Sequence, residues 1–291
     1  MKTNRQMTNV RTLARQGAAR LEAAGVADAA YDARQMLLAC TGLSEGDFLA
    51  NPEFVPSESQ ISRYEFMLSQ RKKRIPLQHI LGSAWFFGRE FIVNENVLIP
   101  RPDTEILVEE ALKQLRSGKS VLDVCTGSGC IILTLACEKI LSEAVGTDLS
   151  AEALEVAGEN AGRLKKELET PDVEFLRGDL CEPVRGRLFD MIVSNPPYIR
   201  SSVIPKLAPE VRDHDPRMAL DGGEDGLMFY RKIAKQAARL LRAGGALLFE
   251  IGYDQADAVR KIMRDAGFTD IAVRKDYGGN DRVVKGFYGR S

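Results

Sequence analysis

The sequence predicts an α/β protein in which a mainly parallel sheet, covered by helices on both faces, follows an all-helical N-terminal domain. Three observations carry that prediction. After Ser117, short apolar runs rich in β-branched residues alternate with helical stretches, as crossover-connected parallel strands require. Residues 1–75 read as helical, with apolar positions three or four apart. The length of 291 residues, at about 150 per domain, accommodates two domains.

In the helical domain, Val10, Leu13 and Ala14 lead into Leu21. A second helix runs from Asp28 through Tyr31 and Met36, and a third covers Ile61, Tyr64, Phe66 and Leu68. Gly42, Pro52 and Pro56 separate them. Eleven Lys and Arg stand against eight Asp and Glu here, and Arg71-Lys72-Lys73-Arg74 closes the domain. That run reads as a solvated helix end, with an acidic partner or RNA as the functional alternative.

Residues 76–100 change texture. Trp85 to Val93 has the aromatic and β-branched content of a strand pair turning at Gly88, and it predicts a β-hairpin linker. The third segment, 101–291, opens with Pro102-Asp103-Thr104-Glu105 at the start of a helix that runs to about Leu115. Strands are expected at Val121–Cys125, Ala144–Asp148, Val173–Asp179, Phe189–Ser194 and Gly245–Ile251. Helices are expected at Cys130–Glu138, from Ser150 to about Leu168, at Gly226–Leu241 and at Asp254–Ala266. Gly278-Gly279-Asn280 joins Asp270–Lys275 to Arg282–Tyr288 as a terminal hairpin, which makes the last strand antiparallel.

Charge and composition exclude several classes. Forty Lys and Arg against 41 Asp and Glu leave a net charge of −1, a poor match for a protein that wraps duplex nucleic acid. No apolar run reaches the 18 residues of a membrane span. The basic start, MKTNRQ, has no apolar stretch behind it, so no secretory signal is expected. Five scattered cysteines and two histidines, His79 and His214, show no metal-ligand spacing. They fit a reducing compartment. The expectation is a soluble cytoplasmic protein without metal, in which both histidines are structural.

Candidate chemistry gathers at the predicted strand ends. The first strand empties into Cys125-Thr126-Gly127-Ser128-Gly129 before a helix. In open α/β sheets this edge binds nucleotides. The dinucleotide fingerprint is incomplete, because Ile132 stands at the third glycine position, and no P-loop lysine is present. The loop suits S-adenosylmethionine, which carries no phosphate. Asp148 ends strand two, where a carboxylate accepts both ribose hydroxyls. Asp179 ends strand three, placed to accept from the adenine amino group, and the Leu180 N–H is available to the ring. A lone Asp at a strand end would be read as a turn or helix cap; three successive ends carrying suitable groups favour a nucleoside.

Strand four ends in Asn195-Pro196-Pro197-Tyr198. By itself Pro-Pro would mark only a rigid turn. At the crevice-facing position after the cofactor loops, it offers two acceptors: the Asn195 side-chain oxygen and the Pro196 carbonyl. Together they orient a planar –NH2 group with its π face toward a methyl donor, and Tyr198 covers it. Holding both hydrogens while turning the delocalised lone pair toward the methyl is the chemistry such a poor nucleophile needs. Asn195 therefore counts on both the acceptor and the cofactor side.

These residues, together with Pro76–Gly82, Leu98–Glu105 and Leu220–Gly226, resemble the HemK/PrmC family of release factor N5-glutamine methyltransferases over essentially the whole chain. The resemblance implies a class I S-adenosylmethionine-dependent methyltransferase fold with a Rossmann-like seven-stranded sheet, a helical domain at 1–75 that docks the release factor, and a hairpin linker at 76–100. It implies as substrate the glutamine of the Gly-Gly-Gln motif in class 1 peptide chain release factors, and a role in translation termination. Two departures stand out: Cys125 where many members have Gly, and Leu180 where some have an aromatic residue. Arg101, Thr104, Asp221 and Glu250 remain open between site and scaffold. A monomer is expected, with no direct nucleic-acid contact. The alternatives are an adenine-N6 nucleic-acid methyltransferase, a non-catalytic S-adenosylmethionine-binding scaffold and, disfavoured by Ile132, a NAD-dependent oxidoreductase.

Overall fold

The computed structural model describes residues 8–170 and 172–289; the reading of the extreme N-terminus falls partly outside them. The chain divides into two compact units. The first holds residues up to Gly82 together with Pro209–His214. Its helices are α1 (Val10–Glu22), α2 (Ala29–Thr41), α3 (Glu45–Ala50), α4 (Glu58–Arg71) and α5 (Leu77–Leu81), with α9 (Pro209–Arg212) from the later segment. Local chemistry sets the ends. The Asn9 side chain accepts from Thr12 N, and Ser44 and Ser57 form capping boxes with Asp47 and Gln60. Gly42 stops α2 in the left-handed conformation. Val10, Leu21, Met36, Leu37, Tyr64 and Leu68 form the core. Gly17 is dictated by packing, because a Cβ there would lie 2.0 Å from the Tyr64 hydroxyl.

The basic run at 71–74 is a solvated helix end only at Lys72 and Lys73. Arg71 is buried: its Nε donates to Asp32 Oδ2 at 2.6 Å and its Nη2 to Glu210 Oε1 at 2.9 Å. Arg74 holds both Glu210 oxygens at 2.7 Å. Burial works to raise the Glu210 pKa, but the hydrogen bonds from Arg74, its own backbone and Arg71 outweigh it and bring the carboxyl down to about 2. Two cations that the sequence left at the surface thus neutralise buried Asp32 and part-buried Glu210, across separations of 39, 136 and 139 residues that hide the pairing from the sequence.

The second unit comprises Ser83–Ala208 and the chain from Asp215 onward. It begins with the hairpin β1 (Ser83–Phe86) and β2 (Arg89–Ile92), paired Ser83 to Ile92. Then come α6 (Glu105–Gln114), β3 (Ser120–Val124), α7 (Cys130–Glu138), β4 (Glu143–Asp148), α8 (Ala151–Leu164), β5 (Val173–Arg177) and β6 (Phe189–Ser194). After α10 (Arg217–Leu220) follow α11 (Met228–Ala237), β7 (Leu241–Glu250), α12 (Ala256–Asp265), β8 (Phe268–Lys275) and β9 (Asp281–Tyr288). The sheet has seven strands in the order β5-β4-β3-β6-β7-β9-β8. The last strand, β9, runs antiparallel to both its neighbours.

This is the class I methyltransferase architecture expected from the sequence. Buried β3 lies centrally, and α7 is apolar all round because it packs into a covered face. Burying Ile131, Ile132, Leu133 and Leu135 stabilises by roughly 1.5–3 kcal/mol each. The opposite face is filled by Leu122, Ile192, Tyr230, Ile233 and Phe249. Buried Asn160 of α8 pins the hairpin: it accepts from Ile92 N at 2.7 Å and donates to the carbonyls of Ile92 and Ser128.

Candidate active site

A cavity opens at the C-terminal ends of the adjacent strands β4, β3 and β6, the edge where crossover loops leave a parallel sheet. The loop after β3 contributes Cys125, Thr126, Gly127 and Ser128; β4 contributes Asp148; the turn after β5 contributes Asp179 and Leu180; the exit of β6 contributes Asn195 and Pro197. Gly129 is not on the wall. It caps α7 at φ +77, where a Cβ would meet Leu133 and Ala157 at 3.1 and 3.2 Å, so its role is helix packing. Pro196 and Tyr198 lie off the wall as well.

Asp148 organises the loop. Its Oδ2 accepts from Gly127 N at 2.9 Å and its Oδ1 from Ser150 N at 3.0 Å. Each carboxylate oxygen keeps a second lone pair for an incoming hydroxyl. Burial raises the Asp148 pKa, against the backbone donors of Ser150 and Gly127. Beneath it Asp123 is fully buried, accepts from Thr126 Oγ1 at 2.6 Å and leaves Oδ1 without a partner. Burial pushes this carboxyl up to about 7. Cys125 and Leu180 adopt positive φ, +62 and +54, in the left-handed region where a Cβ is strained. Burial also pushes the Cys125 thiol well above its ordinary range, so it stays protonated and unreactive.

The opposite wall includes Arg101 and Thr104, which the sequence left open between site and scaffold. Asn96–Arg101 and Thr104 line it, and Val97 and Ile99 pack against Ala153 and Val156 of α8. Arg101 Nη2 donates to Asp215 Oδ2 at 2.6 Å. Pro216, Met218, Ala219 and Asp221 complete the mouth.

The Asn195–Tyr198 loop is clamped from behind by the glycine-rich segment 220–226. Ile199 bridges Asp221, and Gly222 N donates to Ile199 O at 2.8 Å. A Cβ on Gly222 would sit 2.8 Å from Pro197 O, and one on Gly226 2.5 Å from Tyr198 O. Gln255, buried, donates from Nε2 to both Tyr198 O and Gly226 O, at 3.0 and 3.2 Å, and accepts from Gly252 N at 2.9 Å. Asn195 Nδ2 donates to Thr104 Oγ1 at 3.3 Å, and the Tyr198 hydroxyl donates to Glu250 Oε1 at 3.3 Å. Burial pushes Glu250 up to about 7 against the Thr104 hydroxyl, the Arg282 charge and the Tyr198 hydroxyl, and burial chiefly, with Glu250 adding, raises Tyr198.

Sheet order and site together define a class I S-adenosylmethionine-dependent methyltransferase. The pattern described as the PrmC N-terminal domain matches residues 12–82, and the methyltransferase small domain matches 102–211. A release factor glutamine methyltransferase from Agrobacterium fabrum is 44% identical over 91% of this chain and 92% of its own. One from Caulobacter vibrioides is 43% identical over 92% of each chain. The chain belongs to the release factor glutamine methyltransferase family. Among solved structures, a methyltransferase from Pyrococcus furiosus superposes with a TM-score of 0.54 at 19% identity, over 70% of this chain and 91% of its own. That likeness bears on the fold.

The methyl-donor cofactor is S-adenosylmethionine, and the residues present fit it. The unused lone pairs of Asp148 suit the ribose, the wall near Leu149 and Leu180 is apolar, and a Cβ on Gly127 would meet nothing within 4 Å. Among the described residues no three His, Cys, Asp or Glu side chains gather as a metal site, and no helix is long and apolar enough to cross a membrane.

Proposed function

We propose that this enzyme transfers a methyl group to the side-chain amide nitrogen of the glutamine in the Gly-Gly-Gln motif of class 1 peptide chain release factors, and so supports translation termination. The observation that carries the reading is the Asn195 amide, bound through Nδ2 to Thr104, which leaves Oδ1 to accept an amide N–H of the substrate. S-adenosylmethionine supplies an electrophilic methyl at its sulfonium. Cys125, Thr126, Gly127, Ser128, Asp148, Asp179 and Leu180 hold that cofactor, with Gly129 supporting the loop from the helix cap. Asn195 Oδ1 and the Pro196 carbonyl take one hydrogen each of the acceptor amide, fixing its plane. Pro197 and Tyr198 stiffen and shield the loop. Carbon–nitrogen bond formation accompanies carbon–sulfur cleavage, and the extra proton leaves to water.

The helical domain docks the release factor, and the linker at 76–100, whose hairpin strands are Ser83–Phe86 and Arg89–Ile92, leads from it to the transfer domain at 101–291. The protein acts as a cytoplasmic monomer on a protein loop without a direct nucleic-acid contact, as its near-neutral charge suits. Purified enzyme, S-adenosylmethionine and full-length release factor, read by mass spectrometry, test the proposal. The expected product is a single methyl on the motif glutamine. An unmodified release factor, or label entering DNA or RNA instead, overturns it. Transfer to the full factor but not to a Gly-Gly-Gln peptide assigns recognition to the helical domain.

A further inference from the structure

Gln255 lies buried in the turn between β7 and α12, 57 residues from Tyr198 and off the cavity wall. We infer that Gln255 is a positioning residue for methyl transfer: its primary amide ties the Tyr198 carbonyl to that of Gly226, and so fixes the direction in which the Asn195–Tyr198 loop presents its two acceptors. The inference rests on the glutamine-transfer reading above and adds the group that makes the direction of the loop unique.

A primary amide sets two donors beside an acceptor on one uncharged group. Around Gln255 each of these is met by backbone that allows one assignment. Nε2 stands 3.0 Å from Tyr198 O and 3.2 Å from Gly226 O, which can only accept. Oε1 stands 2.9 Å from Gly252 N, which can only donate. Turning the amide over would set oxygen against two carbonyls and NH2 against an N–H, so its orientation is fixed by chemistry rather than by shape. The backbone also makes room for it. A Cβ on Gly252 would come 3.0 Å from Oε1, and one on Gly226 2.8 Å from Nε2. Gln255 N donates to Gly252 O at 3.0 Å, which closes the turn that aims the side chain.

The bond to Tyr198 O completes the hold on one peptide unit. Across the same Tyr198–Ile199 peptide, Ile199 N donates to Leu220 O at 3.0 Å. The far end of Tyr198 is held too, because its hydroxyl donates to Glu250 Oε1 at 3.3 Å. The end of β7 and the turn after it thus take both the carbonyl and the hydroxyl of one residue. Proline rings lock φ at 196 and 197, so a direction imposed at Tyr198 is carried back to the Pro196 carbonyl and to Asn195. Without the Gln255 amide the carbonyls of Tyr198 and Gly226 lose their shared donor, and that constraint is released.

Gln255→Met keeps length and bulk without the bonds, and Gln255→Glu keeps the acceptor for Gly252 N but sets oxygen against the two carbonyls. With full-length release factor as acceptor, and enzyme counted by bound cofactor, both are expected to lower kcat by on the order of 10- to 100-fold, the cost of a misaligned acceptor. The KM for release factor and the dissociation constant for S-adenosylmethionine are each expected within about threefold of wild type. That split separates positioning from a structural role, which would lower the melting temperature and leave kcat per folded molecule unchanged. Wild-type kcat in either variant, or a cofactor dissociation constant that rises in step with the fall in kcat, overturns the inference. The second readout needs neither a variant nor an acceptor: hydrogen exchange at the 15N-labelled side-chain NH2 of Gln255, assigned by through-bond correlation to its own backbone. Slow exchange of both protons supports the bridge, and fast exchange of either overturns it. If wild type leaves the release factor unmodified, the functional reading fails, and the exchange experiment alone decides the bridge.

Discussion

The two sides of the cavity are built on different principles. The cofactor side is assembled from the ends of consecutive strands, and its polar contacts are local: Asp148 reaches Gly127 across one strand pair and Ser150 two residues on. The acceptor side is a loop with little secondary structure, held by groups 52, 57 and 91 residues away, namely Glu250, Gln255 and Thr104. A nucleoside can be held by any open sheet edge with suitable residues at the strand ends. On the proposed reading, two acceptors must be presented to one planar nitrogen, which demands tighter placement, and the loop that carries them is held by long-range hydrogen bonds rather than by strand geometry.

If that division is real, substitutions should separate cleanly into cofactor and transfer defects. The largest effect is expected for Asn195→Ala: loss of kcat on the order of 10³-fold, comparable to deleting one preorganised polar group from a transition-state site, with cofactor affinity largely kept. Single-turnover transfer measured beside calorimetric cofactor binding checks it, and a parallel collapse of both would merge the two sides. Next is Gly226→Ala. It combines a φ of +73 with a Cβ 2.5 Å from the Tyr198 carbonyl, so the loop must move or the protein destabilises by roughly 2–4 kcal/mol. Thermal unfolding together with kcat distinguishes these outcomes, and a variant with wild-type values in both would remove the clamp from the account.

The same division explains what could be read from the sequence. Strand–helix alternation and the terminal hairpin gave the sheet, because hydrophobic period and turn chemistry are local properties. Asp148, Asp179 and Asn195 were singled out by their places at strand ends, and all three line the cavity. The buttresses were legible only in part: Thr104 and Glu250 stayed open between site and scaffold, and Gln255 was not singled out. Thr104 sits at a Pro-bounded helix start, Glu250 at the end of a buried strand, and Gln255 just before α12; each has a sufficient local explanation, and only the fold brings them to one loop. The short helices Glu45–Ala50 and Leu77–Leu81 were missed for a related reason, since five or six residues carry too little periodicity to read. Arg71 was left in solvent because its partner Glu210 lies 139 residues on.

On the cofactor side the expected effects are smaller. Asp148→Asn keeps one acceptor and loses the other, so the dissociation constant for S-adenosylmethionine should rise about tenfold, near the 1.4 kcal/mol of one hydrogen bond to a charged group, while kcat at saturating cofactor changes little. A fall in saturated kcat instead would tie Asp148 to the transfer step.

Cys125→Gly should do least, and it tests whether the cofactor loop is as undemanding as this comparison requires. At φ +62 the Cβ costs about 1–2 kcal/mol in the folded state. Glycine removes that strain but gives the unfolded chain about 0.5–1 kcal/mol more entropy to lose. The terms nearly cancel, leaving a net stability change below about 1.5 kcal/mol and cofactor affinity within about threefold of wild type. Denaturant unfolding and a binding titration measure both. A tenfold change in affinity in either direction would show that the Cys125 side chain, and not only its backbone, shapes the pocket; the cofactor side would then share the side-chain dependence that sets the acceptor side apart.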